Sequence, residues 1–109
     1  MGGAVAPWEI TDRQDDHVVL RLLGRLTDPA RTEELKTSLE RHYVDDGVHE
    51  IRIDLAELQE ISLEGVACLI ELWAESRRRN KVFRIQGATG QVRAKLETTG
   101  TLQILEGPT

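Results

Sequence analysis

The stretch Ile51-Arg52-Ile53-Asp54-Leu55-Ala56-Glu57-Leu58-Gln59-Glu60-Ile61-Ser62-Leu63-Glu64-Gly65-Val66-Ala67-Cys68-Leu69 decides the fold. At its start Ile51, Ile53 and Leu55 alternate with Arg52 and Asp54, the pattern of a strand with one buried face. At its end Val66 and Leu69, continued by Ile70, Leu72 and Trp73, make a strongly apolar helix that runs into Arg77-Arg78-Arg79. Between them Glu57 to Ile61 reads as a connector, and Ser62 stands where a helix cap belongs. A strand feeding an apolar helix through a short turn is the first half of a parallel crossover unit.

Outward from this centre the alternation repeats. Trp8–Thr11 reads as a short edge strand, Asp15-Asp16 as a turn, and His17–Leu23 as a buried strand closing at Gly24. Thr27-Asp28-Pro29 starts a helix, with Asp28 as cap and Pro29 in the first turn. Leu35, Leu39 and Tyr43 share one face of it, and Asp45-Asp46-Gly47 ends it. Lys81–Gln86 is a further strand, Gly87–Gly90 a turn with Thr89 as cap, and Val92 and Leu96 mark a helix that stops at Gly100. Leu102, Ile104 and Leu105 read as a last short strand. The order β-β-α-β-α-β-α-β predicts an α/β fold, a mixed but mostly parallel sheet flanked by helices. One domain over residues 1–109, with its core at about 8–105, is expected.

Composition excludes several function classes. Lys and Arg number 14 against 19 Asp and Glu, a net charge of −5 that disfavours nucleic acid, whose phosphates call for a positive field. The single cysteine, Cys68, rules out an intrachain disulfide and a Cys-based zinc site, and its place beside Leu69 is that of a small buried hydrophobe. His17, His42 and His49 show no ligand spacing, so no metal or other cofactor is expected. No run reaches the ~18 apolar residues of a membrane span, so direct membrane insertion is not expected. Met1–Ala6 lacks the charged and apolar regions of a secretory leader, and the chain reads as cytoplasmic.

Two turns invite a functional reading. A helix N-terminus at Ser62-Leu63-Glu64-Gly65 presents unpaired N–H groups that favour an anion, and Glu64 supplies one. The plainer reading is that Ser62 caps the helix and Glu64 complements its dipole. Gly87-Ala88-Thr89-Gly90 lacks the Gly-Lys-Ser/Thr ending of a phosphate loop and reads as a capped turn. Arg77, Arg78, Arg79 and Lys81 form a solvated helix end. Residues 45–64 hold seven acids against Arg52 alone, which points to a negative end around the Ser62–Gly65 turn and a cationic protein partner. No nucleophile, base and orienting acid stand in a catalytic context, so a binding module is expected and not an enzyme.

These residues carry a resemblance. The run Ile51–Leu69 resembles the centre of STAS domains of the anti-sigma factor antagonist (anti-anti-sigma factor) family. Gly24-Arg25-Leu26-Thr27 resembles that family's Gly-Glu-Leu-Asp before its first helix, and Val92–Gly100 its closing helix. The resemblance implies partner switching in transcription regulation. In that family the unphosphorylated antagonist binds an ATP-binding serine kinase type of anti-sigma factor, and phosphorylation in an Asp-Ser-Ser-Gly turn breaks the complex. Aligned on Gly65, the Asp is Ser62, the first Ser is Leu63 and the phosphorylated Ser is Glu64, which accepts no phosphate. Arg25 and Thr27 replace the acidic pair. The resemblance therefore assigns partner contact to Arg25, Thr27, Ser62, Leu63, Glu64 and Gly65, without a switch at position 64. The alternative it leaves open is a STAS subunit of a lipid-transport ABC-type complex, resembled around Arg84-Ile85-Gln86-Gly87, which buttresses the transporter ATPase and needs no such serine.

Overall fold

The computed structural model describes residues 8–13 and 16–107, with side chains from residue 16 onward. The readings of Met1–Ala6 and of Asp15 lie outside the described residues. Strand β1 (Trp8–Arg13) runs antiparallel to β2 (His17–Leu22), with a bulge between Ile10 and Asp12. Strand β3 (Gly24–Leu26) follows at once, turned out of line at Gly24, whose φ of +73° suits glycine. Then come α1 (Pro29–Tyr43), β4 (Glu50–Asp54), β5 (Leu58–Ile61), α2 (Leu63–Arg78), β6 (Val82–Gln86), α3 (Gly90–Thr98) and α4 (Leu102–Glu106).

The main sheet has the order β1-β2-β4-β6, with β2, β4 and β6 parallel. The crossovers through α1 and α2 step the same way across it, so both helices lie on one face and pack against each other. Val18, Leu20, Leu22, Ile51, Ile53, Phe83 and Ile85 point to that face and form the core with Leu35, Leu39 and Leu69. The opposite face of these strands carries charged residues: Arg52 and Arg84 share the carboxylate of Glu50 (2.6 and 3.9 Å), and Arg21 faces Asp54 at 3.6 Å. Parallel strands β3 and β5 make a second, two-stranded sheet beyond the carboxyl ends of β2 and β4.

The α/β class, the mostly parallel sheet and the central strand–turn–helix agree with the sequence. Asp28 caps α1 through its carboxylate, which accepts from the Ala30 N–H at 2.9 Å, with Pro29 as the first helical residue. Three local readings need correction. The connector Glu57–Ile61 contains β5; its buried residues, Leu58 and Ile61, are three apart and show no alternation. Thr89 occupies the cap position of α3, but its side chain makes no capping hydrogen bond. The segment Leu102–Leu105 is not a strand but part of α4: Leu102 and Leu105 are buried one turn apart, and Ile104 is 44% exposed.

At the α1–α2 contact the Tyr43 hydroxyl donates to the Leu72 carbonyl (2.9 Å), and Ser76 Oγ lies 2.9 Å from that carbonyl and 3.3 Å from Tyr43 Oη. Burial pushes the Tyr43 phenol up to about 12 and the Cys68 thiol up to about 11. Folding thus favours both neutral forms. The stability this contributes is complete below the ordinary values of 9.0 and 10.0 and is lost as pH rises through the folded ones. The urea midpoint is therefore expected to fall between about pH 9 and about pH 12. A midpoint that stays level over this window would contradict the burial of the two groups.

Candidate functional site

The turn between β5 and α2 lies against the end of β3. Ser62 is the N-cap of α2: its Oγ accepts from the Gly65 N–H at 3.1 Å, and its carbonyl accepts from the Val66 N–H at 2.9 Å. Its own N–H donates to the Leu26 carbonyl at 3.1 Å, so the cap is tied to β3. Gly65 is buried against the same carbonyl. A Cβ there would stand 2.5 Å from the Leu26 oxygen and 2.6 Å from Ile61 Cγ1, so only glycine lets the helix start this close to β3. The Gly24–Thr27 and Ser62–Gly65 motifs, far apart in sequence, thus meet at Leu26.

Around this joint the side chains divide by exposure. Leu63, the first helical residue, is 62% exposed, and Glu64 beside it is exposed as well. Arg25 is exposed and pairs with Glu60 of β5 at 3.5 Å. Thr27 is half-buried and lines a shallow hollow with Gly24, Arg25, Asp28, Arg31 and Gln59. On the far side of β5, the Gln91 side chain of α3 accepts from the Ile61 N–H (3.0 Å) and donates to the Ile61 carbonyl (3.2 Å).

From Leu63 an apolar stripe continues along α2. Ala67 is exposed and Ile70 and Ala74 are half-buried, at spacings that keep them on one side of the helix. Trp73 is half-buried, with the Arg77 guanidinium 5.1 Å from its ring centre. Cys68 points the other way: it is 2% exposed, its Sγ lies 3.7 Å from the Thr32 carbonyl, and its raised pKa keeps it a thiol at neutral pH. Among the described residues no group of three or more His, Cys, Asp or Glu is placed to hold a metal ion.

The family model described as "Mlab, STAS domain" matches residues 10–106. The chain belongs to the STAS domain family. The anti-sigma-B factor antagonist of Listeria monocytogenes is 26% identical over 98 residues, 90% of this chain and 84% of that protein. The solved structure of the anti-sigma factor antagonist SpoIIAA in its unphosphorylated form covers 94% of this STAS domain and 88% of its own chain, with a TM-score of 0.78 and 18% identity. The phosphorylated form of the Bacillus cell fate determinant SpoIIAA covers 86% and 84%, with a TM-score of 0.69 and 17% identity. At such identities the two structures speak for the fold.

The structure brings the six sequence-assigned residues of this STAS domain to one end of the sheet, in the order Arg25, Thr27, Ser62, Leu63, Glu64, Gly65 along the chain. Glu57, Glu60 and Glu64 of the acidic run belong to that end, with Arg25 offsetting Glu60. Asp45, Asp46 and Glu50 lie at the start of β4, away from it, and Asp54 faces Arg21 on the outer face. That end is therefore less negative than the run suggests. Two contributors were not singled out from sequence: the Leu26 carbonyl, which no side-chain pattern announces, and Gln91, one polar residue on a largely polar helix.

Proposed function

We propose that this chain is an anti-sigma factor antagonist-like regulatory protein that acts by protein–protein contact through the Ser62–Gly65 turn and the apolar stripe of α2. The single observation that carries this is the exposure of Leu63 and Glu64 at the start of a helix anchored to β3. Large apolar residues in water at a rigid turn supply binding energy when a partner covers them, and their order is already fixed. The similarity to anti-sigma-B factor antagonists supports an anti-sigma factor as the class of partner, and the resemblance of the Gly24–Thr27 and Ile51–Leu69 runs points to the kinase type. The role is one of binding, not catalysis, and its setting is cytoplasmic.

Glu64 stands at the aligned phosphorylation position, and its carboxylate accepts no phosphate. Capture through this turn is then constitutive as regards that position. Calorimetric titration of wild type and Glu64→Ser against the host's kinase-type anti-sigma factors, with nucleotide present, tests the reading. The expected result is wild-type binding that persists on prolonged incubation with ATP. Binding by Glu64→Ser alone would overturn it, since the carboxylate would then act as a standing phosphate mimic. Silence from both variants would favour a second reading, a STAS subunit that buttresses the ATPase of a lipid-transport complex. That reading is favoured by the absence of a phosphate acceptor at positions 63 and 64, which such a subunit does not need.

A further inference from the structure

Among the described residues strand β5 has a strand neighbour on one side only. Strand β3 pairs with it there, and α3 packs along the other side. On that side Ile61 makes both of its backbone hydrogen bonds to one side chain, the Gln91 amide, which accepts at 3.0 Å and donates at 3.2 Å. Such an exchange of N–H and C=O is what two directly opposed residues make in an antiparallel ladder. The amides of Asn and Gln carry a donor and an acceptor side by side on one planar group, as a peptide unit does, and the longer of them spans this gap. Ile61 is 1% exposed, so its N–H and carbonyl have no ready exchange with water.

We propose that Gln91 is a positioning residue of the binding turn: its amide stands in for a missing strand, fixes the end of β5, and so sets the direction in which α2 presents Leu63 and Glu64. The next residue, Ser62, is held from the opposite side by Leu26, so the turn is gripped between α3 and β3. Gln91 itself is exposed, and removing its amide takes little apolar surface out of the core. The effect is therefore local to the turn. This inference rests on the reading of the turn as the binding surface, but its test needs no partner, so the two fail separately.

The experiment is amide hydrogen exchange, followed by NMR on the free chain, for wild type, Gln91→Met and Gln91→Glu. Met keeps the length and loses both bonds; Glu keeps an acceptor for the Ile61 N–H and, as a carboxylate, loses the donor. The Ile61 amide is expected to exchange about tenfold faster in Gln91→Met, the factor one lost hydrogen bond gives, and by less in Gln91→Glu. Gly65 and Val66, whose N–H groups are bonded to Ser62, are expected to follow, with Leu20 and Ile53 at wild-type rates. Acceleration of all these amides together would mean that Gln91 merely stabilises the fold and would overturn the proposal. So would a faster Ile61 with Gly65 and Val66 unchanged.

Discussion

Gly65→Ala is expected to destabilise the domain by about 2 kcal/mol and to displace the start of α2. An alanine in place of glycine ordinarily gains up to about 1 kcal/mol inside a helix. Here the added methyl meets the Leu26 carbonyl at 2.5 Å and Ile61 Cγ1 at 2.6 Å. The first of these is backbone, held by the β3–β5 pairing and by the Ser62 N–H, and cannot rotate away. Overpacking against such a wall costs about 1–3 kcal/mol and occasionally more, which outweighs the helical gain. The check is the urea midpoint at unchanged slope, with exchange at Gln91-bonded Ile61 as a local reporter. A variant as stable as wild type would mean that β3 and α2 do not approach this closely.

The second large effect separates the two faces of α2. Leu69→Ala is expected to cost about 2–5 kcal/mol, because Leu69 is fully buried between α2 and the sheet and its loss leaves a cavity. Against a total stability of about 5–15 kcal/mol, that is a large share. Leu63→Ala, six residues earlier on the same helix, is expected to change stability by about 0.5 kcal/mol or less, because Leu63 is 62% exposed. Its cost appears instead in partner affinity, about tenfold if it sits at the centre of the interface. Denaturation of the two variants side by side decides the orientation of α2. A reversed ranking would rotate the helix and remove Leu63 from the proposed binding surface.

The central architecture was legible because its signals are local and redundant. Ile51, Ile53 and Leu55 alternate, Asp28 precedes Pro29, and Ser62 precedes an apolar helix; each of these patterns depends on near neighbours alone. The candidate site was readable as a set of residues for a different reason, the resemblance of two short motifs. What joins those motifs was not legible. The β3–β5 pairing sets a three-residue strand against a four-residue one, with a register shift beside Gly24, too short and irregular to leave a periodic trace. Leu102, Ile104 and Leu105 misled because three apolar residues in four fit both periods, and only burial of the first and last chooses the helix. Gln91 carries no signal of its own, since its role depends on where α3 docks.

Helix α4 also bears on the border of the sheet at β6. Strand β6 is the last in the order β1-β2-β4-β6, and α4 packs against it, with Gly107 coming up beside the Arg84 stem. A closing strand at this place would have brought its own unpaired row of N–H and C=O groups to the border of the sheet, a template on which other chains aggregate. A helix of five residues bonds few of its own backbone groups, but it presents no extended row of them and so offers no such template. With α4 packed against β6, another chain finds a helix beside this border of the sheet, held there by two buried leucines one turn apart.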